Sequence, residues 1–340
     1  MTVGKLSCTT LRVVIPATRS VAQLTAYPKL RLEDTLVGFR DQMRMTLNKG
    51  YSYRRVLGKD SANCKTLSYL SAHFTHSTET EWQGRLASGE VLLNGVVATG
   101  YESLRAGEVL IWNRPGWMEM ETPQQYSLVY EDKQLLAVNK PSGLPTLPGA
   151  GYYLNTLLSL VSKDFPEACP LHRLGRATSG LVLFARDAMN ASTVSRNWHK
   201  VEKQYQALGS LVASEDSYDI RSPIGNHSHP RLGKVYGARP DGKPARSVAR
   251  TLDRRSNTTV FEVDLHTGRP HQIRIHLAFI GHPLEGDPLY AVGGHPKLDQ
   301  PGLPGDSGYW LHAKRLMVEH PISGNELILE APLPNILEVK

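Results

Sequence analysis

At 340 residues, with 40% hydrophobic and 21% charged residues, the chain has the composition of a folded globular protein with room for two or three domains. No apolar run approaches the roughly 18 residues that cross a bilayer as a helix, so a membrane partner is not expected. The net charge of +7 and an isoelectric point near 9.2 fit a polyanionic partner and a solubilising basic surface equally well.

Cys8, Cys64 and Cys169 are few, odd in number and far apart, which points to a reducing compartment and away from a disulfide framework or zinc site. Residues 1–50 read as a poorly ordered extension. The run "LRVVIPA" is too short for a signal peptide and is broken by Pro16, while Glu33, Asp34 and Asp41 weaken a transit-peptide reading. Met45 is a candidate start. The expected location is the cytoplasm, or an organelle interior if residues 1–44 act as a transit peptide.

Residues 51–112 read as a small α/β module. Leu67, Leu70 and Phe74 recur at helical spacing, "EWQGRLASG" gives a second short helix, and "EVLLNG" is a strand closed by the hairpin signal Asn94-Gly95. "ESLRAGEVLIW" adds a turn at Ala106-Gly107 and another strand. Residues 113–124, rich in Pro and Gly and without periodicity, read as a linker.

Residues 125–340 are strand-rich. "SLVYEDKQLLAVNKPSG" is a hairpin with Glu131, Asp132 and Lys133 at its tip, and "LVLFAR", "YQALGSLV", "ARSVARTL", "TVFEVDLH" and "ELILEAPL" are further strands. Two helices interrupt them, "LNTLLSLVSKDF" and "RPHQIRIHLAFIG". The second carries Ile273, Leu277 and Ile280 on one face, Arg274 on the opposite face, and Gly281 as its stop. Strands without regular helix alternation predict an α+β fold on a mixed or antiparallel sheet.

Metal, cofactor and hydrolase chemistry find little support. Neither His227/His229 nor His271/His276 has metal-ligand spacing, "LPGAGYY" lacks the features of a phosphate loop, and Ser179 sits in no nucleophile elbow. No cofactor is expected.

Five signatures remain, in order along the chain: "LLAVNKPSGLPTLPG" (135–149), "HRLGRATSGLVLFAR" (172–186), "KQYQA" (203–207), "LHTGRPHQIRIHLAFIGHPLEGDPLY" (265–290), and "LHAKRL" with "APLP" (311–316 and 331–334). Over roughly residues 125–335 they resemble the RluA-type family of RNA pseudouridine synthases. The 64–112 region is similar to the ribosomal-protein-type RNA-binding module that often precedes such domains. The resemblance implies a mixed-sheet catalytic domain that isomerises uridine to pseudouridine in structured RNA, rRNA or tRNA, as a monomer and without metal or cofactor.

It also implies roles. Arg173 would fill the stack vacated by the flipped base, as a guanidinium can. Tyr205 would pack against the uracil, with stacking worth ~1–3 kcal/mol, and assist proton removal from C5. Arg274 would pair with the catalytic carboxylate. His172, Arg176, Thr178, Ser179, Gly180, Arg269, His271 and Gln272 would contact RNA in the cleft, and Arg85 would do so in the accessory module.

The departure lies at Gly175, where the family pattern has aspartate. Glycine brings no nucleophile or base. No acidic residue lies between Glu167 and Asp187, so Arg274 needs a carboxylate from elsewhere, with Asp187 and Asp287 as the candidates. The alternative reading is a non-catalytic RNA-binding factor that kept the fold.

Overall fold

The computed structural model describes residues 45–299 and 301–339. The described chain divides between Glu121 and Thr122 into two compact units.

In the first unit, strands β1 (Met45–Leu47), β2 (Tyr51–Val56), β3 (Val91–Leu93), β4 (Val96–Val97), β5 (Val109–Arg114) and β6 (Met118–Met120) accompany helices α1 (Thr66–His73) and α2 (Glu79–Ala87). A four-stranded sheet runs β2-β5-β3-β4, and β1 pairs separately with β6. Thr78 and Glu81 form a reciprocal capping box that starts α2. Asn94 and Gly95 both take positive φ, 51° and 86°, as a two-residue turn matched to strand twist demands. Leu57, Tyr69, Leu70, Trp82, Leu86, Val91 and Leu110 form its core.

Two boundaries differ from expectation. Residues 45–50 belong to this unit rather than to an extension, because β1 pairs along β6 and Asn48 donates to Glu119 while both are buried. The expected linker 113–124 therefore contains the end of β5 and all of β6. Residues 1–44 lie outside the described residues.

The second unit continues with β7 (Ser127–Glu131), β8 (Leu135–Lys140), α3 (Leu157–Asp164), β9 (Cys169–Pro170), β10 (Ser179–Ala185), α4 (Ala188–Arg196), β11 (Glu202–Ser210) and β12 (Ser217–Ile220). The hairpin of β13 (Ile224–His229) and β14 (Gly233–Ala238) follows, then β15 (Ser247–Arg254), β16 (Thr258–Leu265), α5 (Gln272–Phe279), β17 (Tyr290–Ala291), β18 (His295–Pro296), β19 (Leu311–Glu319) and β20 (Glu326–Glu330). The main sheet runs β12-β15-β16-β11-β19-β10-β8-β7, with β20 on β19 and β9 on β10. It is an α+β fold, and β10 with β19 is the parallel pair in an otherwise antiparallel ladder among the described strands.

Strand β10 reads as a continuous apolar run because it is buried on both faces. Its entry needs Gly180: φ is +106°, and a Cβ there would stand 2.3 Å from the Ala313 carbonyl oxygen. Helix α5 is covered on more than one apolar face. Ile273 and Leu277 join the main core, while Ile275 and Ala278 join a second cluster with Ile224, Val235, Ala238 and Tyr290. The helix is thus covered on opposite sides, and Arg274, on the face away from Ile273 and Leu277, is only 2% exposed.

Candidate active site

Two loops are tied into one rigid body by backbone acceptors. The Lys140 ammonium at the end of β8 donates to the carbonyls of Pro141, Leu144 and Arg176 at 2.8, 2.7 and 3.2 Å. Ser142 Oγ donates to Ala177 O at 2.6 Å, Thr146 Oγ1 donates to Leu174 O at 2.9 Å, and the Gly143 N–H donates to Arg176 O. The 141–146 loop therefore fixes the path of the 172–178 loop. Burial, with the nearby Arg176 charge, pushes Lys140 down to about 7.

Near these loops lies the deepest ion pair of the unit. Arg274 Nε and Nη2 donate to the two oxygens of Asp287, each at 2.7 Å, and the side chains are 3% and 1% exposed. Nη1 donates to Pro304 O at 3.0 Å. Two rings enclose the guanidinium, with the Tyr309 centroid at 4.3 Å and the Tyr290 centroid at 5.0 Å. Burial alone would lower the Arg274 pKa, but the Asp287 carboxylate outweighs it and holds the group above its ordinary value. Burial likewise works to raise Asp287, and Arg274 with the Leu289 and Tyr290 N–H groups brings it below the usual carboxylate range. Asp287 is thus Arg274's partner and, by capturing two N–H groups, also the turn residue after α5.

Asp187, the other carboxylate considered, caps α4 through the Asn190 N–H at 2.7 Å and Asn190 Nδ2 at 2.8 Å. It serves that helix, not Arg274.

Gly175 is exposed, and its backbone lies outside the left-handed region. A Cβ built there would meet Thr178 Oγ1 at 3.6 Å and Tyr309 Oη at 3.7 Å, ordinary contacts. The position has room for a side chain that the sequence does not supply.

A family described as RNA pseudouridylate synthase matches residues 134–279. An uncharacterized RNA pseudouridine synthase of Synechocystis sp. is 39% identical over 79% of this chain and 94% of its own. The chain belongs to the RNA pseudouridine synthase family. RNA pseudouridine synthase 5 of Arabidopsis thaliana is 33% identical over 86% of this chain and 95% of its own. Ribosomal large subunit pseudouridine synthase D of Xanthomonas campestris is 34% identical over 84% and 91%. The family is of the RluA type, and its reaction is the isomerisation of uridine in RNA.

Within this synthase fold, the residues singled out from the sequence divide into two groups. Arg173 is exposed, with its charge near enough to lower the His271 pKa, and Tyr205 lies on β11 with only 8% exposure. Burial pushes the Tyr205 phenol up to about 12, so it stays protonated at neutral pH. Most of the others are internal braces. His172 Nε2 accepts the Leu183 N–H at 3.0 Å and its ring stacks on Trp198; burial, aided by Lys203, pushes it down to about 4. Arg176 donates to Gly305 O and to the Tyr152 hydroxyl. Ser179 bonds His312 Nδ1 at 2.9 Å. Gln272 has both ends engaged, by Thr267 and the Arg269 N–H on its oxygen, and by Arg246 O and Ser247 on its nitrogen. Arg269 Nε donates to Pro244 O, and His271 pairs with the Tyr290 hydroxyl at 2.7 Å.

In the first unit, Arg85 packs into the corner formed by the edge-to-face rings of Trp82 and Trp112 and donates to Ser77 Oγ at 2.7 Å. Sequence reasoning missed Tyr309, Tyr290 and Lys140. Lys140 and Tyr290 left a trace, as the lysine of "NKPSG" and the last residue of "GDPLY".

Proposed function

We propose that this chain converts uridine to pseudouridine in structured RNA, with large-subunit ribosomal RNA as the first substrate class, and that it does so without a carboxylate in the 172–180 loop. The Arg274–Asp287 pair carries the reading. A buried arginine held by a bidentate carboxylate and two rings is a prebuilt positive centre beneath the loop that would meet the ribose. The names of the ribosomal relatives support the choice of RNA. Arg173, exposed at the loop, takes the place of the extruded base, and Tyr205 packs on the uracil and assists loss of the C5 proton. The first unit docks the RNA, through charges that make affinity fall with salt.

The test incubates the full chain with large-subunit ribosomal RNA transcribed without pseudouridine and measures the isomer by mass analysis of digests. Formation by the parent, with about 100-fold slower formation by Tyr205→Phe, is the expected result. Tight binding with no isomer formed would instead make the chain an RNA-binding factor.

A further inference from the structure

The geometry points to Tyr309 as the catalytic residue that replaces the loop aspartate, an assignment that rests on the proposed isomerase function. Three observations converge on it. Tyr309 Oη stands 3.7 Å from the Cβ that a side chain at 175 would have, within the reach of a carboxyl group on that carbon. The ring is 6% exposed, and its hydroxyl lies 3.5 Å from the buried Thr178 Oγ1, directly beneath the exposed Gly175. The Arg274 guanidinium lies 4.3 Å from the ring centroid, so negative charge developing on the phenol would form beside a fixed cation.

Both candidate carboxylates are committed elsewhere. The oxygens of Asp287 accept from Arg274 and from the Leu289 and Tyr290 N–H groups, and Asp187 caps α4. Asp306 is the remaining acidic neighbour of the loop. One of its oxygens accepts the Leu303 N–H and the other lies 3.7 Å from Arg176, and it is not among the atoms within 4 Å of the Gly175 Cβ position. Apart from the chain neighbours, only Thr178 Oγ1 and Tyr309 Oη are within that distance among the described residues. Of these two, the phenol is the more acidic and the one beside the guanidinium.

The step balances with the phenol alone. Tyr309 Oη forms a bond to C1′ as the N1–C1′ bond breaks, and the phenolic proton goes to N1 of the departing uracil. The base turns so that C5 attacks C1′, the C1′–O bond breaks, and its electron pair returns to the phenolate. The phenolate then takes the proton from C5, a transfer Tyr205 assists. The net change is one glycosidic bond moved from N1 to C5 and one proton moved from C5 to N1. Tyrosine is a known class of oxygen nucleophile at an anomeric carbon.

The experiment compares the parent, Tyr309→Phe, Asp306→Asn, Gly175→Asp and the double variant Gly175→Asp/Tyr309→Phe. Each is assayed for pseudouridine formation, RNA affinity and thermal unfolding. Phenylalanine keeps the ring over Arg274 and removes only the hydroxyl. Expected are a loss of roughly 10³-fold in rate for Tyr309→Phe at unchanged RNA affinity, a rate for Asp306→Asn within about threefold of the parent, and recovery of at least about tenfold in the double variant. A purely structural role for Tyr309 would not be rescued by an aspartate at 175. An active parent with an equally active Tyr309→Phe, an Asp306→Asn variant that falls as far, or a double variant no faster than Tyr309→Phe overturns the assignment and leaves the isomerase reading standing. A silent parent made active by Gly175→Asp overturns that reading and this one together.

Discussion

Arg85 in the first unit and Arg274 in the second each pack against two aromatic rings, yet their charges are managed oppositely. Arg85 lies 4.5 Å from the Trp82 centroid and 4.4 Å from that of Trp112, is half-buried, and bonds a neutral hydroxyl. Burial lowers its pKa, and the charges of Glu81 and Glu90 offset that only in part. Arg274 is far deeper, and its bidentate carboxylate leaves the net shift upward. Rings suffice where water still reaches one side of a guanidinium. With water excluded, an anion is required.

The contrast can be broken most directly at Asp287. Asp287→Asn leaves a buried guanidinium without its counter-charge and should destabilise the second unit by about 3–5 kcal/mol, read from the midpoint of urea unfolding. A change under about 1 kcal/mol would show that Tyr290 and Tyr309 hold the charge unaided.

Acid should separate the two units less abruptly. Burial pushes His172 and His312 down to about 4, against an unfolded value near 6.5. Between these values the unfolded chain binds more protons, so stability falls as pH drops through the window, by about 1.4 kcal/mol per unit for each histidine. His271 is pushed to about 3 and extends the loss further down. In the first unit, His76 is lowered by burial and nearby arginines. Unfolding followed at about pH 7 and about pH 5.5 should show the larger decrease in the second unit. Equal decreases would remove the distinction.

The smallest effect is expected at Arg85. Arg85→Met keeps a stem against the tryptophans and loses the cation–π contact and one hydrogen bond, costing about 1 kcal/mol in thermal unfolding of the first unit.

Legibility in the sequence followed the kind of burial. Strand β10 and the Asn94-Gly95 turn could be read locally, since a continuous apolar run and a positive-φ pair each have one physical meaning. That the Arg274 face of α5 is also covered was not legible, because the covering hairpin, β13–β14, is written "IGNHSHPRLGKVYGA", whose first strand carries one apolar residue and no alternation. Helix α4 was missed for a related reason: "AMNASTVSR" buries only Asn190 and Val194. Several side chains that the motifs offered to RNA are engaged in hydrogen bonds within the protein. His172, Ser179 and Gln272 carry polar groups that could serve RNA or the fold, and only hydrogen-bond partners far along the chain decide which. Asp287 was legible as a candidate partner for Arg274, while the choice between it and Asp187 depended on how α5 is buried.

Strand β19 sits between β11 and β10 in the main sheet. The ribosome delivers β7 to β10, and then β11 to β16, as two blocks that share no direct strand pairing among the described residues. They are joined when residues 311–319 emerge, so sheet closure is a late, long-range event in synthesis. Tyr309 and Arg274 reach their places beside the 172–178 loop only with that closure. A nascent chain truncated before β19 would carry four of the five sequence signatures and no assembled site, which makes β19 the point at which translation commits the molecule to chemistry.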